Sequence, residues 1–391
     1  MKSATIDKIV SCVPNVRVMT SLISKVRIRR TVSYFIPEAD IKRGEASDAA
    51  KAEIVNDYLK RNWVGLSYSC KLADQVLERA ERYKNSDNKN AIRTDMLFCK
   101  LAYGFQPDEY LCFGFDQLGP EEKKKWISDL DRYIKIFSMN DLKAAQLFNN
   151  KAKTYNKFKK YYQRAAIGIK NPRDLDKFLA FCKTTPVFVR KGVFGGMGKS
   201  VELVDSTKSD LNALFHDMIS QGEQLLEERI IQSDVMAALN ASSVNTIRCI
   251  TMKTKHGIVI PYTFLKVGRN GSFVDNGGAG GILAGIDVET GTITTHGYDE
   301  LTTEYVRHPD SGVTFKGYVF PLWDKMKAMC CEMAEMIPGV KCIGWDVALT
   351  DQGWVVVEGN GMTQFIGPQI IYKHGIKEEV EALMADMELM V

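Results

Sequence analysis

Two β-rich runs joined by a short polar loop make up Ile343-Gly-Trp-Asp346-Val-Ala-Leu-Thr-Asp-Gln-Gly353-Trp-Val-Val-Val-Glu358-Gly-Asn360. The pattern predicts a β-hairpin with the three-residue loop Asp351-Gln352-Gly353, whose glycine can take a positive φ. This register puts Asp346 directly opposite Glu358, and Asn360 projects on the same face because strand side chains alternate. Two carboxylates held side by side need a cation, and hard oxygen ligands suit Mg²⁺. The alternative is a solvated hairpin end with unrelated acidic residues.

The composition is that of a globular protein: 45% of the 391 residues are hydrophobic and 26% are charged. The net charge of +4 is small and dispersed, so we expect no nucleic-acid partner. Nine cysteines without a Cys-x-x-Cys spacing, and no signal-peptide pattern after the first methionine, predict a reducing, cytoplasmic location. The five histidines show no zinc spacing, and no apolar run is long enough for a transmembrane segment.

The chain changes character near Asn171-Pro172. Up to about Tyr162 the apolar residues recur at helical spacing, which predicts a mainly helical N-terminal subdomain. Beyond the change, short β-rich runs alternate with helical patterns, which predicts an α/β (α+β) second half. The first thirty residues carry seven Lys and Arg against one Asp. A solvated helix face explains them best, and peripheral contact with an anionic membrane is the alternative.

A glycine-rich loop follows the β-rich run Val187 to Arg190. Gly192 and Gly198 are one residue too far apart for a P-loop, and an alternating strand pattern rather than a helix follows them. The loop is therefore predicted to join two strands, with Lys191 at the end of the first. Its glycines let backbone N–H groups approach phosphate oxygens, and these are Gly195, Gly196 and Gly198. An ordinary glycine-rich hairpin is the alternative.

The run from Gln224 to Ile231 reads as an apolar strand interrupted by acidic residues. Such a segment can connect two lobes and pass a planar ligand, with backbone groups of Glu228 and Ile230 pairing with an adenine edge. Glutamates at an exposed strand end are the alternative. The order of phosphate loop, connector and metal hairpin favours the first interpretation.

With these motifs the chain resembles the ATP-grasp superfamily, and most closely its sugar-transfer-associated branch, over about residues 149–369. The resemblance implies a two-lobe fold that clamps ATP, with a helical subdomain in front of it. It implies boundaries at 1–140 for the helical subdomain, 141–230 for the lobe with the phosphate hairpin, and 231–391 for the lobe with the metal and acceptor site. It also implies that ATP and Mg²⁺ are the cofactors, with Asp346, Glu358 and Asn360 as the metal ligands.

Further positions follow from the same resemblance. Lys151, after Asn150, is similar to a lysine that reaches the phosphates from the side opposite Lys191, and Glu227 to Ile230 resembles the adenine connector. Arg248 resembles an arginine that stabilises the γ-phosphate and the acyl-phosphate. The stretch Ser272 to Gly281 resembles a loop near the acceptor site, which implies a catalytic role for Asn276.

Two positions depart from the pattern of related ligases. Lys266 stands where arginine is usual, so bidentate recognition of a carboxylate is in question there, although the position is still assigned to catalysis. Asp275 and Asn276 precede glycine, and a role in the turn alone is the alternative for both.

The resemblance implies an ATP-dependent carboxylate-amine ligase that works through an acyl-phosphate, in cell-surface polysaccharide or related sugar and amino-acid biosynthesis. Its partners would be a small-molecule carboxylate and an amine, either of them free or sugar-linked. Two alternatives remain: a kinase that passes phosphate to a small molecule or sugar, and a nucleotide-binding module without catalysis.

Overall fold

The computed structural model describes residues 36–61, 66–194, 201–275 and 277–387. Several sequence predictions lie outside these ranges: the basic N-terminal segment, the glycines at 195, 196 and 198, and Asn276. Within the described ranges, no helix is long and apolar enough to cross a membrane.

The N-terminal part is helical, as predicted. Ser47 and Ser128 cap two of its helices by accepting hydrogen bonds from backbone N–H groups, and Gly104 ends another with a φ of 85°. Buried aromatic residues, including Phe105 and Phe115, form its core. The helices of this part are α1 (Glu38–Ala46), α2 (Asp48–Lys60), α3 (Leu66–Arg79), α4 (Glu81–Lys84), α5 (Lys89–Tyr103), α6 (Pro107–Cys112), α7 (Pro120–Lys123), α8 (Asp129–Met139) and α9 (Leu142–Ala145).

Helix α10 (Lys151–Tyr162) leads from this region to the first sheet. Asn150 caps it by accepting a hydrogen bond from the N–H of Lys153 at 2.9 Å. The helix buries Phe158 against Trp345, with ring centroids 5.2 Å apart. Helix α10 therefore packs against the strand that carries Asp346, and this sets where Lys151 lies.

The smaller sheet has four antiparallel strands in the order β1-β4-β2-β3. Phe178, Phe188 and Phe215 form its apolar core with two helices. Its strands and helices are β1 (Ala166–Ile169), α11 (Leu175–Thr184), β2 (Val187–Gly192), β3 (Val201–Asp205), α12 (Leu211–Ser220) and β4 (Gln224–Glu228). The predicted strands at Val187 and Gln224 are confirmed.

The larger sheet has seven strands in the order β11-β10-β5-β6-β7-β8-β9. All the pairings are antiparallel, and the buried residues of its strands form the largest apolar core. Its elements are α13 (Asp234–Leu239), β5 (Thr246–Thr254), β6 (Gly257–Val267), β7 (Ile282–Ile286), β8 (Ile293–Tyr298), β9 (Glu304–Tyr305), α14 (Trp323–Glu335), β10 (Cys342–Thr350), β11 (Gly353–Asn360), α15 (Ile366–Tyr372) and α16 (Lys377–Ala385). The predicted class, mixed α and β with a helical N-terminal subdomain, is confirmed; the three domain boundaries stay predictions.

The β10–β11 hairpin reaches the predicted register by a different route. Its loop has two residues rather than three, because Gly353 pairs with Thr350 at a φ of 114°. A bulge then adds one residue, Val357, so that Asp346 still pairs with Glu358. The prediction of a three-residue loop was wrong, whereas the predicted pairing of the two carboxylates is confirmed.

Candidate functional site

Residues from both sheets line one cavity of about 130 Å³. From the smaller sheet and α10 come apolar, acidic and basic residues, and the larger sheet contributes the two carboxylates of the hairpin. Of the predicted site residues, those that line this cavity are Lys151, Lys191, Glu227, Glu228, Ile230, Lys266, Asp346 and Glu358. Tertiary structure thus brings together residues separated by up to about 200 positions in the sequence.

Asp346 is the centre of a buried charge cluster. Its carboxylate accepts hydrogen bonds from Nε of Arg248 at 2.6 Å and from Nη2 at 2.9 Å, in a bidentate pair. Nζ of Lys266 lies 3.4 Å from the same carboxylate. Burial alone would raise the pKa of Asp346, but Arg248 and Lys266 outweigh it and hold this pKa below its ordinary value. Asp346 is therefore a fixed anion.

Glu358 and Asn360 complete the predicted ligand set. Nδ2 of Asn360 lies 3.4 Å from Asp346 Oδ2, so the amide is on the same side as the carboxylates. Burial raises the pKa of Glu358, and the negative charge of Asp346 raises it further, against the opposing effect of Lys151. A buried carboxylate in this position is stabilised by a cation.

This donor set fits Mg²⁺ bound together with a phosphorylated ligand. Among the described residues, no three His, Cys, Asp or Glu side chains are grouped so that they could hold a metal ion by themselves. Mg²⁺ is typically held by one or two carboxylates plus substrate phosphates rather than by an all-protein cage. Asp346 and Glu358, with the Asn360 amide, match that requirement in number and chemistry.

Two lysines approach the cavity from the side of the smaller sheet. Lys191, at the end of β2, forms an ion pair of 2.9 Å with Glu227 on β4. Burial lowers the pKa of Lys151, while the charge of Glu358 opposes this shift. Both lysines line the same cavity as the two hairpin carboxylates, as expected for groups that neutralise a polyanionic ligand.

Glu227 is held by a residue that the sequence analysis missed. Arg164 donates to Glu227 Oε2 through Nη2 at 3.0 Å, and through Nη1 to the carbonyl of Val356 at 2.6 Å. Burial alone would raise the pKa of Glu227, but Arg164 and Lys191 hold it at about 2. Arg164 lies in no recognisable motif, so nothing in the sequence pointed to it.

The connector is the end of strand β4, as predicted, and one of its backbone N–H groups already donates a hydrogen bond within the protein. The N–H of Glu228 donates to the carbonyl of Ala165 at 2.8 Å, so this N–H is not free for an adenine edge. Ala165 in turn donates from its N–H to the Glu228 carboxylate at 3.1 Å. Ile230 lies beyond the end of β4 and lines the cavity. The contribution of Glu228 to a planar ligand is thus limited to its carbonyl oxygen.

Asp275 lines the cavity in the loop before β7. The side chain is buried, the hydroxyl of Thr246 donates to its Oδ2, and Nζ of Lys266 lies 3.6 Å from its Oδ1. Burial raises the pKa of Asp275 above its ordinary value even though Lys266 opposes the shift. Thr246 lies two positions before Arg248 in β5, so the two side chains are on the same face of the strand. This alternation is the sequence signal that could have identified Thr246 as a site residue.

Two predicted residues contact the cluster without lining the cavity. Arg248 and Asn360 are both bonded to Asp346, and neither is among the lining residues in the described part of the chain. The arginine was expected at the γ-phosphate, whereas the structure pairs it with the carboxylate next to Lys266. Its catalytic role stays a prediction.

The comparisons with known proteins were made against families, curated proteins and solved structures. A family model described as sugar-transfer associated ATP-grasp matches residues 132–385, well over half of the chain. No curated protein matches significantly. Solved structures with similar folds include the ATP-grasp ligase PsnB complexed with the precursor peptide PsnA2 and AMPPNP, at 13% identity and a TM-score of 0.39. That alignment covers 64% of this chain and 61% of PsnB.

Two further solved structures match this chain with similar sequence identities and TM-scores. N5-carboxyaminoimidazole synthetase from Staphylococcus aureus, complexed with ADP, is 14% identical with a TM-score of 0.42, covering 64% of this chain and 55% of that one. D-alanine-D-alanine ligase from Helicobacter pylori is 14% identical with a TM-score of 0.40, covering 64% and 62%. The chain thus spans less than two thirds of each of these proteins, and the assignment rests on the family model. The chain belongs to the sugar-transfer associated ATP-grasp family.

Proposed function

We propose that this protein is an ATP-dependent ligase that joins a small-molecule carboxylate to an amine through an acyl-phosphate. One observation carries the proposal: the carboxylates of Asp346 and Glu358 and the ammonium groups of Lys151, Lys191 and Lys266 line a single cavity. That is the charge pattern needed to hold a nucleotide triphosphate and to stabilise negative charge as phosphoryl transfer proceeds.

ATP would lie along the cavity with its base beside the connector. The carbonyl of Glu228 would accept from the exocyclic amine of adenine, and Ile230 would contribute a backbone N–H. Lys151 and Lys191 would face the phosphates, and the role of the glycines at 195, 196 and 198 stays a prediction. Lys191 must then leave Glu227, and Arg164 remains to neutralise that carboxylate.

Mg²⁺ held by Asp346, Glu358 and Asn360 would neutralise phosphate charge and make the γ-phosphorus a better electrophile. The chain's own residues do the rest by positioning. Arg248 keeps the Asp346 carboxylate in one orientation through its bidentate pair, and Lys266 supplies a further positive charge at the same carboxylate. No side-chain nucleophile is needed.

The proposed reaction has two steps. A substrate carboxylate oxygen attacks the γ-phosphorus, the bond from that phosphorus to the β-bridging oxygen breaks, and ADP leaves. An amine then attacks the acyl carbon, the bond to the phosphate oxygen breaks, and the nitrogen gives up a proton, so that hydrogen phosphate leaves as the amide forms. The Lys266 ammonium would stabilise the negative charge that develops as the γ-phosphoryl group passes to the substrate carboxylate and as the amine attacks the acyl carbon.

Transfer of the phosphoryl group to a hydroxyl is the second candidate. Asp275 favours it, because a carboxylate in the cavity wall is the kind of group that accepts the proton of an attacking hydroxyl in kinases. A nucleotide-binding module without catalysis is the third, and the presence of both carboxylates and the phosphate lysines argues against it.

We assign the substrates to sugar metabolism because the family is sugar-transfer associated. A uronic acid, an amino sugar or an amino acid destined for a cell-surface polysaccharide, modified in the cytoplasm, fits the proposed chemistry. Binding of the N-terminal basic segment to a membrane surface would bring the product close to such an assembly system, and co-sedimentation with anionic liposomes tests it.

The test is an assay of the full chain with Mg²⁺-ATP and pools of uronic acids, amino acids and amino sugars, with ADP and free phosphate measured separately. Ligation predicts equal amounts of ADP and free phosphate that require both a carboxylate and an amine. ADP without free phosphate would instead establish the kinase reaction.

Glu358→Gln should lower turnover on the order of 100-fold or more, because it removes a charged ligand from the transition state. The fold should be retained, as judged by circular dichroism. Glu121→Gln is the matched control, since that side chain is 83% exposed in α7. Full activity of Glu358→Gln would reject the metal assignment.

A further inference from the structure

Asp275 is a carboxylate of the cavity wall to which neither the metal site, the phosphate site nor the adenine connector gives a role. It is 8% exposed and lies in the loop before β7. Thr246 donates its hydroxyl to one carboxylate oxygen, and Lys266 faces the other at 3.6 Å. Nζ of Lys266 also lies 3.4 Å from the Asp346 carboxylate. The Lys266 ammonium group therefore lies between Asp275 and the proposed metal site.

We propose that Asp275 is the general base of the second half-reaction and removes the proton from the acceptor amine, with Thr246 holding its carboxylate in place. The inference rests on the proposed ligase function and deepens it, because it makes the acceptor an amine that arrives as an ammonium ion. Such an acceptor is cationic, and the carboxylate that faces it also recognises it.

The two carboxylates of the β10–β11 hairpin, Asp346 and Glu358, are less suited to this role. Both oxygens of Asp346 accept hydrogen bonds from Arg248, and Lys266 adds a third positive contact, so protonation of this group is opposed from two strands. Glu358 is assigned to the metal. Asp275 accepts a hydrogen bond from the neutral hydroxyl of Thr246, and its ion pair with Lys266 is longer, at 3.6 Å. These weaker contacts oppose protonation of Asp275 less than the contacts of Asp346 oppose its protonation.

Charged groups from three strands face Asp275: Arg248 on β5, Lys266 on β6 and Asp346 on β10. Burial raises its pKa, and Lys266 and Arg248 limit the rise. A base whose pKa is shifted toward neutrality is more effective at physiological pH than an ordinary aspartate.

The step balances as follows. One N–H bond of the ammonium breaks and its proton passes to a carboxylate oxygen of Asp275. The freed nitrogen lone pair attacks the acyl carbon, and the bond from that carbon to the phosphate oxygen breaks, so that inorganic phosphate leaves with the electron pair and takes up the second N–H proton. Asp275 returns the proton to solvent before the next turnover.

A purely structural role, in which Asp275 only neutralises Lys266, predicts a different result. It would slow both half-reactions together when Asp275 is changed, because Lys266 contacts the proposed metal ligand Asp346 as well as Asp275. A general base acts only after the acyl-phosphate has formed. The two roles therefore separate if the half-reactions are measured individually.

The experiment uses hydroxylamine as a second nucleophile. The full chain and its Asp275→Asn variant are incubated with Mg²⁺-ATP and the pooled uronic and amino acids, with either hydroxylamine or the pooled amino acids and amino sugars as the amine. Hydroxylamine is largely uncharged at neutral pH and needs no proton removed before attack. Hydroxamate therefore reports the first half-reaction, and amide reports both.

Asp275→Asn should lose amide formation on the order of 100-fold, the usual contribution of a general base, while hydroxamate formation keeps most of its rate. Amide formation by the variant should recover as the pH rises and more of the amine becomes neutral. Thr246→Val should show the same selective loss more weakly, and Thr246→Ser, which keeps the hydroxyl, should not.

Equal loss of hydroxamate and amide in Asp275→Asn, or an unchanged amide rate, would overturn the proposal. If Asp275→Asn does not fold, the contrast between Thr246→Val and Thr246→Ser decides in its place, and equal behaviour of these two variants would reject it. Absence of hydroxamate with the unaltered protein would refute the ligase function itself, a result distinct from any defect confined to the variants.

Discussion

At the level of single residues, the site depends on carboxylates that are buried only because cations face them. Glu227 is the clearest case, with Arg164 and Lys191 both on its carboxylate at 3.0 and 2.9 Å. One partner can therefore leave for a ligand while the other keeps the carboxylate neutralised. An isolated buried carboxylate would not tolerate such an exchange.

The stability of the protein should depend on pH through Glu227. Its pKa is about 2 in the folded chain and about 4.3 when unfolded, so its contribution is present above about pH 4.3 and is lost as the pH falls toward 2. Lowering the pH from 6 to 4 should narrow the difference in unfolding free energy between the unaltered protein and Glu227→Gln by roughly 0.5–1 kcal/mol. Urea unfolding at each pH measures it, and a constant difference would contradict the assigned ion pair.

At the level of elements, the β10–β11 hairpin holds the proposed ligands because aromatic side chains pack against its backbone. Gly359, between Glu358 and Asn360, has no room for a side chain: a Cβ there would lie 2.6 Å from the ring of Phe148 and 2.9 Å from that of Trp345. The bulge at Val357 turns this end of the strand toward the cavity. Packing by α10 and by the short 3₁₀ helix Gln146–Asn149, which carries Phe148, thus fixes where the ligand pair lies.

Gly359→Ala should lower the free energy of unfolding by about 1–3 kcal/mol, because the added methyl group overpacks the contact with Phe148. Adding Phe148→Leu should restore part of the loss. Gly168→Ala is the matched control, since a Cβ in that strand would lie 3.6 Å from Ala152 and so make an ordinary contact. Denaturant unfolding measures all three, and equal losses for the two glycine variants would disprove the explanation.

At the level of the whole molecule, Arg164 joins the two sheets. Its guanidinium donates to Glu227 of β4 in the smaller sheet and to the carbonyl of Val356 of β11 in the larger one. Its side chain is 5% exposed, and the ring of Tyr162 lies 4.5 Å from the guanidinium carbon. The orientation of one sheet against the other, and hence the width of the cavity, depends on this residue.

Arg164→Met should therefore affect mainly the free energy of unfolding, and Lys191→Met mainly ATP binding. Loss of Arg164 breaks the bond between the sheets and weakens a buried ion pair, and it should lower the free energy of unfolding by about 3–5 kcal/mol. Loss of Lys191 leaves Arg164 on Glu227, so stability should fall less while ATP binding, measured by calorimetry, weakens more. The exposed Arg173→Met is the control. Equal stability losses for the two variants would refute the assigned roles.

Much of the fold follows from local patterns. The period-two alternation of residues 343–360 was sufficient to pair Asp346 with Glu358. The β-rich run from Val187 to Arg190 predicted the strand β2, which extends to Gly192. Helical spacing was sufficient for the N-terminal half. The sequence did not show that a bulge replaces the third loop residue, because both arrangements bring the same pair together.

The sequence by itself determined the helical and β-rich halves, the pairing of the two hairpin carboxylates and the motifs that carry the family resemblance. Only the tertiary structure decided that Lys266 lies between Asp346 and Asp275, and that Arg164 holds Glu227. The reason is physical. Alternation and capping act between neighbours in the chain, whereas the contact of β6 with β10 across β5, and of one sheet with the other, depends on sheet order and packing, which local periodicity does not encode.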